Sequence, residues 1–404
     1  MGASRHVLRR HGRDGHATGG RLPKRIAILG STGSIGCNAL EVIEHLGVDF
    51  RAVALSARSQ TNKLLEQVRR HRPAAVAVAE DADEACCREI ERLGARIYRG
   101  PGGIVEMVQR DDVDQVLAAI VGAAGLPAVF ATVRAGKNIA LANKESLVVA
   151  GSLLIPAARE RNVAILPVDS EHSAVFQALH AGRRHEIAKV ILTASGGPFR
   201  NATKEQIARA TPQEALAHPT WRMGGKVTID SATMFNKGLE LIEACWLFDL
   251  PPEKIEVTIH PESVIHSMVE FVDGSTLAQL SPPDMRTPIQ YALTYPHRFP
   301  GCGRRMDWSR QSTLTFEPPD MEKFPALAIA YDVARRGGTF GAVMNAANEV
   351  AVDSFLGGRS GFGRISQVVS LTIDRHRPVA SPTMDDLLEA DRWARTTAAG
   401  LLAN

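Results

Sequence analysis

The sequence predicts an α/β protein of several domains, with a parallel sheet in its N-terminal part, a second sheet after it and a helical bundle at its C-terminal end. Short apolar runs alternate with helical patterns between residues 24 and 168, as they do in βαβ units. Strand-like runs return between residues 189 and 280, whereas helical periodicity dominates beyond residue 320. The chain also has 404 residues, more than a single core usually supports.

Short apolar runs indicate the individual strands. In the N-terminal part the runs are Arg25–Leu29, Phe50–Leu55, Ala75–Ala79, Val116–Val121, Ile139–Leu141 and Ala164–Val168. In the middle part, loops rich in Gly, Pro, His and Trp separate the runs, a composition typical of a functional cleft. These runs are Lys189–Thr193, Lys254–Ile259 and Ser275–Leu280. Helical periodicity covers Phe324–Arg335, Val343–Leu356, Gly363–Arg375 and Asp385–Ala399.

Composition narrows the possible classes of function. The formal net charge is only +3, so the chain lacks the excess of Lys and Arg that binds nucleic acid. The five cysteines form neither a CxxC pair nor a dense framework, as in proteins of a reducing compartment. No apolar run approaches the roughly 20 residues of a membrane span, and residues 1–22 lack the apolar core of a secretion signal. We therefore expect a cytoplasmic protein that acts on small molecules and has neither nucleic acid nor a membrane as its partner.

A glycine-rich motif follows the first predicted strand. Gly30, Gly33 and Gly36 lie in the sequence GSTGSIG between a strand and a helix, the setting of a Rossmann-like dinucleotide site. There the glycines let the backbone approach a pyrophosphate, and the helix N-terminus supplies N–H donors. The GxxGxxG spacing is less specific than GxGxxG, so a glycine turn without a ligand is the alternative.

The end of the second predicted strand indicates which dinucleotide is bound. NAD sites usually carry Asp or Glu at this point to hold the ribose 2′-hydroxyl. This chain has Arg58, Ser59 and Gln60 there and no acidic residue. Because a basic residue suits a 2′-phosphate, NADPH is favoured over NADH, with a solvated loop arginine as the alternative.

An acidic motif follows the run Ala164–Val168. Asp169 and Glu171 flank Ser170 at the end of a predicted strand, where α/β proteins place their ligands. Hard cations such as Mg²⁺ or Mn²⁺ prefer such oxygen ligands. An acidic helix cap explains the same residues almost as well.

A second polar motif lies on one face of a predicted helix. Asn236 and Lys237 precede Glu240 by four and three residues, so their side chains share a face. Asn, Lys and the nearby Ser231 suit a phosphate, and Glu240 could complete a site of three carboxylates; a surface Lys–Glu pair is the alternative. Ser195, in a Ser-Gly-Gly sequence, offers a further cradle for an oxyanion.

Two further motifs lie in predicted loops. His218, Trp221 and Met223 occur in HPTWRMGGK, which is typical of a lid that closes over a ligand and excludes water. A packed loop tip is the alternative. Lys144 follows the strand Ile139–Leu141, at the sheet edge where a nicotinamide would lie, and could contact a substrate oxygen.

Taken together and in this order, the motifs resemble those of the 1-deoxy-D-xylulose 5-phosphate reductoisomerase family. The resemblance extends from about Lys24 to the C-terminus, and ten segments carry it: GSTGSIG, IVGAAGLPA, LANKESLV, PVDSEH, LTASGGPF, HPTWRMG, DSATMFNKGLE, HPESVIHSM, SPPDMRTPI and NAANEVAV. It implies a homodimeric enzyme that rearranges and reduces 1-deoxy-D-xylulose 5-phosphate to 2-C-methyl-D-erythritol 4-phosphate, in the non-mevalonate isoprenoid pathway. The implied cofactors are NADPH and a divalent ion, Mg²⁺, Mn²⁺ or Co²⁺.

The resemblance also assigns roles to residues. It implies that Asp169, Glu171 and Glu240 hold the metal ion and, with Lys144 and His218, form the catalytic set. The substrate contacts that it implies are Lys144, Ser170, Glu171, Ser195, His218, Trp221, Met223, Ser231, Asn236, Lys237 and Glu240. Among these, Ser195, Ser231, Asn236 and Lys237 bind the phosphate, and Trp221 and Met223 form the lid. The implied NADPH contacts are Thr32, Gly33, Ser34, Ile35, Arg58, Ser59, Gln60, Asn143, Glu145 and Gly224.

The motifs and the changes in composition along the sequence together predict the domain boundaries. We expect a disordered extension over residues 1–22, an NADPH-binding domain over 23–168, a catalytic, metal-binding domain with the lid over 169–294, a linker over 295–320 and a C-terminal helical domain over 321–404.

Two departures from the family pattern concern the ligand contacts. The family commonly has Gly-Lys-Asn where this chain has Arg58-Ser59-Gln60, so the positive charge lies one residue earlier. Arg222 stands within the lid, where a small polar residue is usual.

Two other functions are the alternatives. One is an NADP-dependent dehydrogenase of another phosphorylated carbonyl compound, and the other is a non-catalytic NADP-sensing protein. Neither explains three carboxylates together with a cluster of phosphate ligands, and Cys245, on an apolar helix face, has no partner base in the sequence around it.

Overall fold

The computed structural model describes residues 22–221, 223–310 and 313–403. They form two compact units, each assembled from non-consecutive segments of the chain. The first unit contains the residues up to 143 together with 154–169 and 285–303, and the second contains 144–153, 170–284 and the residues from 304 onward. The predicted extension over residues 1–22, except for Leu22, and the departure at Arg222 lie outside the described residues.

A parallel sheet of seven strands forms the centre of the first unit, counted among its described residues. The strands are β1 Lys24–Leu29, β2 Phe50–Ser56, β3 Ala75–Val78, β4 Arg96–Arg99, β5 Gln115–Ala118, β6 Asn138–Leu141 and β7 Ile165–Pro167. Their order in the sheet is β4-β3-β2-β1-β5-β6-β7. The order reverses between β1 and β5, and α/β sheets bind ligands at the carboxyl ends of the strands beside such a reversal.

Sixteen α-helices occur among the described residues. Their bounds are α1 Ser34–Leu46, α2 Thr61–His71, α3 Glu84–Arg92, α4 Gly100–Val108, α5 Leu126–Arg134, α6 Glu145–Glu160, α7 Ser170–Ala178, α8 Lys204–Ala208, α9 Pro212–Leu216, α10 Gly225–Thr233, α11 Phe235–Phe248, α12 Arg286–Thr294, α13 Ala326–Arg336, α14 Phe340–Leu356, α15 Arg364–Asp374 and α16 Met384–Ala403. Helix α6 is interrupted at Ala150, whose φ is −131°. Among the described residues, no helix combines the length and the apolar character that crossing a membrane requires.

The strands of the parallel sheet supply much of the buried core of the first unit. In β1, the four residues from Ile26 to Leu29 are almost completely buried, which is typical of a central strand in a parallel sheet. The segment 285–303 packs onto the same unit, because Gln115 donates to the Ala292 carbonyl oxygen at 3.1 Å and Phe299 meets Phe50 edge to face. The structure therefore groups α12 and part of the expected linker with the first unit, which differs from the domain boundaries that the sequence suggested.

The second unit contains a mixed sheet of four strands among its described residues. They are β8 Ile187–Ala194, β9 Ile255–Ile259, β10 Ile265–Phe271 and β11 Thr276–Leu280, in the order β11-β10-β8-β9. Strands β8 and β9 are parallel, whereas β10 is antiparallel to both of its neighbours. The apolar runs of the sequence predicted β8, β9 and β11. They missed β10, because Ser267 and Glu270 interrupt its apolar character.

Helices α13 to α16 form the C-terminal part of the second unit. Helix α14 is its central element and buries Val343, Met344 and Phe355 among the neighbouring helices. The predicted α/β class, with one parallel sheet, a second sheet and a C-terminal helical region, is confirmed.

Candidate active site

The glycine-rich loop connects β1 to α1 at the carboxyl edge of the first sheet. Gly30 has φ +79°, a conformation that L side chains rarely adopt. A Cβ atom at Gly36 would lie 2.4 Å from the carbonyl oxygen of Gly30, so only glycine lets the helix approach the turn. The segment from Thr32 to Ile35 includes the first two residues of α1, at the helix N-terminus where backbone N–H groups can receive an anion.

Two more predicted cofactor contacts lie at strand ends of the same unit. The segment from Arg58 to Gln60 is exposed and lies between β2 and α2. It is close to the glycine loop, since the Ser56 hydroxyl accepts a hydrogen bond from the backbone of Gly30 at 3.0 Å. Asn143 follows β6 and is buried, and its side-chain amide donates to the Gly122 carbonyl at 3.0 Å. The arrangement gathers Thr32–Ile35, Arg58–Gln60 and Asn143 at the carboxyl ends of parallel strands.

In the second unit, two carboxylates and two ammonium groups form a buried cluster. Lys237 Nζ lies 2.7 Å from Glu171 Oε1 and also donates to Glu240 Oε2. Lys144 Nζ donates to Glu240 Oε1 and to Asn236 Oδ1, both at 2.9 Å. Helix α11 brings Asn236, Lys237 and Glu240 onto one face, as their spacing predicted.

The charges in this cluster are strongly coupled. Glu240 has no exposed surface, so its carboxylate depends on its neighbours for charge compensation. Burial by itself favours the neutral amine of Lys237, but the carboxylates of Glu171 and Glu240 raise its pKa above the ordinary value. Lys237 therefore remains a cation beside Glu171 and Glu240.

Asp169, the third carboxylate of the predicted metal site, lies two residues before Glu171 in the sequence. Asp169 follows β7 and is the last residue of that segment of the first unit. Ser170 begins α7, and its hydroxyl donates to Glu171 Oε2. A single residue thus separates Asp169 from Glu171.

A close backbone contact brings together the segments that carry Ser195 and Ser231, the two serines predicted to bind the phosphate. Ser195 follows β8, and Gly196 and Gly197 have φ values of +83° and +65°. A Cβ atom at Gly197 would lie 2.8 Å from the carbonyl oxygen of Ser231, so glycine is required for this approach. The backbone N–H of Gly197 also donates to the Ser195 hydroxyl at 3.2 Å. Ser195 thereby lies near α10, which carries Ser231.

His218 lies at the beginning of the predicted lid and contacts this serine. Its Nε2 is 3.1 Å from Ser195 Oγ, while its Nδ1 accepts hydrogen bonds from the backbone N–H groups of Thr220 and Trp221 at 3.1 and 2.9 Å. Because Nδ1 is an acceptor, the proton resides on Nε2, which donates to Ser195. Burial lowers the pKa of His218 in agreement with this neutral form.

The rest of the lid leads into helix α10. The Trp221 ring lies 6.1 Å from the ring of His266, and both belong to the second unit. Met223 is half-buried, and Gly224 is the residue that caps α10. Burial lowers the pKa of His266 to about 4, and the ring lies 3.0 Å from Ser281 Oγ. The side chain of His266 is thus a neutral support beside Trp221.

The structure adds buried polar residues that the sequence motifs did not assign. Lys226 forms ion pairs with Glu145, at the start of α6, and with Asp230, one turn later on α10. Asp230 also accepts a hydrogen bond from Asn348 on α14. Lys226, Asp230 and Asn348 all occur in quoted motifs, but no local pattern indicates that they meet.

Comparison with known proteins identifies the family. Three family models match successive parts of the chain: 1-deoxy-D-xylulose 5-phosphate reductoisomerase at residues 26–151, the C-terminal domain of that family at 165–248, and DXP reductoisomerase C-terminal domain at 280–397. The chain is 49% identical over 379 residues to the 1-deoxy-D-xylulose 5-phosphate reductoisomerase of Prosthecochloris aestuarii (strain DSM 271 / SK 413), covering 94% of this chain and 99% of that protein. It is 50% identical over 381 residues to the protein of the same name from Citrifermentans bemidjiense, with 94% and 99% covered.

The chain belongs to the 1-deoxy-D-xylulose 5-phosphate reductoisomerase family. The resemblance inferred from the ten sequence segments is therefore confirmed.

Solved structures of this family have the same fold. A crystal structure of DOX-P reductoisomerase in complex with NADPH, fosmidomycin and magnesium matches with a TM-score of 0.90 and 40% identity, covering 94% of this chain and 98% of that one. The reductoisomerase from Zymomonas mobilis in complex with NADPH matches with a TM-score of 0.88 and 42% identity, covering 94% and 99%.

Proposed function

We propose that this protein uses NADPH and a divalent metal ion to rearrange and reduce 1-deoxy-D-xylulose 5-phosphate to 2-C-methyl-D-erythritol 4-phosphate. The observation that carries the proposal is the buried cluster of Glu171, Lys237 and Glu240, next to Lys144 and Asn236. It combines hard oxygen donors for a metal ion with ammonium and amide donors for a phosphate. Family membership supports the same reaction, since the solved relatives include complexes with NADPH and with magnesium.

The donor set fits a hard divalent cation. Glu171 and Glu240 share one ammonium group, so a cation bound by both carboxylates would take over part of the role of Lys237. Asp169 lies two residues before Glu171 in the chain and is proposed as the third ligand. When bound, such an ion polarises the carbonyl and hydroxyl oxygens of the substrate, and NADPH supplies the hydride.

The phosphate is proposed to bind on the adjacent surface of the second unit. Ser195 and Ser231 offer hydroxyl groups on two segments that the Gly197 contact holds together. Asn236 offers an amide and Lys237 an ammonium group, and charge-assisted hydrogen bonds to phosphate are among the strongest available to a protein. Binding energy from this remote group can hold the reacting carbons in place.

His218, Trp221 and Met223 are proposed to cover the reacting part of the substrate. His218 is fixed by two backbone donors and keeps its proton on Nε2, so it can donate a hydrogen bond to a substrate oxygen. Lys144 and Ser170 are proposed to contact the polar backbone of the substrate. Apolar side chains over the site exclude water from intermediates that would otherwise be lost.

The proposed cofactor contacts lie at the carboxyl ends of β1, β2 and β6. Thr32, Gly33, Ser34 and Ile35 lie around the start of α1, where the pyrophosphate would meet backbone N–H groups. Arg58, with Ser59 and Gln60, is proposed to contact the 2′-phosphate that distinguishes NADPH from NADH. Asn143, Glu145 and Gly224 complete the proposed set.

A spectrophotometric assay tests the proposal. Purified protein with NADPH, Mg²⁺ and 1-deoxy-D-xylulose 5-phosphate is expected to consume NADPH and to form 2-C-methyl-D-erythritol 4-phosphate, identified by mass spectrometry. A chelator should stop the reaction, and NADH should be a poor replacement. NADPH consumption with another phosphorylated carbonyl compound alone would favour the dehydrogenase alternative, and binding without consumption would favour a sensor.

Homodimerisation is proposed from an exposed sheet edge. Strand β11 is at one end of the second sheet, no strand of the described residues pairs with its outer side, and Leu277 on it is 41% exposed. Unpaired apolar edges of this kind are usually covered. Light scattering should report twice the chain mass, and a Leu277→Lys variant should shift it toward the monomer. The cytoplasmic location remains a prediction from the sequence.

A further inference from the structure

Lys226, Glu145, Asp230 and Asn348 form a cluster of buried polar contacts next to residues of the proposed site. Lys226 Nζ lies 3.0 Å from Glu145 Oε1 and 2.8 Å from Asp230 Oδ2. On the opposite side, the Asn348 amide donates to Asp230 Oδ1 at 2.7 Å. All four residues belong to the second unit.

These contacts occur almost entirely out of water. The side chains of Lys226, Glu145 and Asp230 are 17%, 6% and 1% exposed, and Asn348 is fully buried. Burial by itself favours the neutral amine, but Asp230 and Glu145 raise the pKa of Lys226. A buried ammonium group held by two buried carboxyl groups has little freedom to move, because any displacement breaks one of these contacts.

Three of the four residues are next to different parts of the proposed site. Glu145 directly follows Lys144, and Asp230 directly precedes Ser231. Lys226 itself comes two residues after Gly224, the end of the lid. Asn348 lies on α14, in the C-terminal helices.

We propose that Lys226 is a positioning residue. Its ammonium group holds the Lys144–Glu145 turn in place relative to both ends of α10, the one that follows the lid and the one that carries Ser231. Asn348, on α14, fixes the position of Asp230. Lys226 contacts neither substrate nor cofactor in this scheme. The inference rests on the proposed function for the roles of Lys144 and Ser231. It gives the C-terminal helices a role in the geometry of the site.

The direct test compares Lys226→Met with Lys226→Arg. A displacement of about 1 Å at a reacting group can lower the rate by about 100-fold, so Lys226→Met should reduce kcat/KM by about 10- to 100-fold. It should also weaken NADPH binding in a fluorescence titration, because Glu145 loses its ion pair with Lys226. Lys226→Arg keeps the charge and should recover most of both losses.

A matched control separates positioning from stability. Arg364 is half-buried and donates to the Leu401 carbonyl oxygen at 2.7 Å, linking α15 to α16, two helices that carry none of the four residues of the cluster. Arg364→Gln should lower Tm but leave kcat and both KM values within about twofold of wild type, since the loss of such a hydrogen bond acts mainly on stability. If folded Lys226→Met behaves in this way too, the positioning role is refuted.

A second variant covers the case in which Lys226→Met does not fold. Asn348→Ala removes the hydrogen bond to Asp230 but leaves the side chains of Lys226, Glu145 and Asp230 in place, and it is expected to lower kcat/KM by at least about threefold. Unchanged kinetics in this folded variant would overturn the proposal. If the wild type does not turn over 1-deoxy-D-xylulose 5-phosphate at all, the proposed function fails. The NADPH affinities of the same variants then test the positioning role of Lys226 independently of that function.

Discussion

Replacing Glu240 by Gln perturbs the proposed metal site with almost no change in shape. Glu240 is completely buried and accepts hydrogen bonds from Lys144, Lys237 and Asn236. Glu240→Gln removes the negative charge, so two buried ammonium groups lose a charged acceptor. Breaking one partner of a buried pair typically destabilises a protein by about 3–5 kcal/mol. Because Lys237 keeps Glu171 and the amide retains an acceptor oxygen, we expect about 3 kcal/mol.

The same substitution should also weaken the binding of the metal ion. Loss of a residue that merely supports a metal ligand lowers affinity by about 10- to 100-fold, so loss of a direct ligand should exceed about 100-fold. Urea unfolding followed by tryptophan fluorescence gives the stability, and calorimetry gives the affinity for Mg²⁺. Glu256→Gln is the control, since this carboxylate is 54% exposed and pairs with Lys189 on the sheet surface; it should lose less than about 1 kcal/mol. A Glu240→Gln protein with wild-type stability and wild-type Mg²⁺ affinity would refute the role assigned to the cluster.

Three further predictions concern the phosphate loop, the lid and the cofactor. Gly197→Ala forces a Cβ atom to within 2.8 Å of the Ser231 carbonyl at φ +65°, so KM for the phosphorylated substrate should rise at least about tenfold while NADPH affinity stays constant. Since burial lowers the pKa of His218, protonation of this ring favours the unfolded state, so stability should begin to decline as the pH falls below the ordinary histidine value of about 6.5. The decline in kcat/KM should begin at a lower pH, because it follows the lowered pKa of His218 in the folded protein, and the His218→Gln protein should show neither contribution. Arg58→Gln should raise KM for NADPH about 5- to 100-fold but leave KM for NADH unchanged, because only NADPH carries the 2′-phosphate; equal effects on both would contradict this role.

Local sequence patterns predicted those structural features that arise from residues close together in the sequence. The alternation of apolar runs and helices predicted β1, β2 and β3, and the glycine motif predicted the turn before α1. The spacing of Asn236, Lys237 and Glu240 also predicted their shared helical face, which the structure confirms. In these cases, the periodicity of a strand or helix fixes where the side chains point.

Contacts between distant segments could not be predicted in the same way. The ion pair between Lys226 and Glu145 joins residues 81 positions apart, and Asn348 reaches Asp230 across 118 positions. Such pairings depend on how helices pack after the chain has folded, so no local pattern encodes them. The position of α12 in the first unit is a further example, because side chains of that unit bond to the carbonyls of Ala292 and Leu293.

The most direct test of the account measures NADPH oxidation by the purified protein with Mg²⁺ and 1-deoxy-D-xylulose 5-phosphate, for the wild type and for Glu240→Gln. The account predicts steady, chelator-sensitive oxidation by the wild type with formation of 2-C-methyl-D-erythritol 4-phosphate, and nearly complete loss of activity in the folded variant. Activity that survives both the chelator and the loss of the Glu240 carboxylate would contradict a metal-dependent reaction at this site.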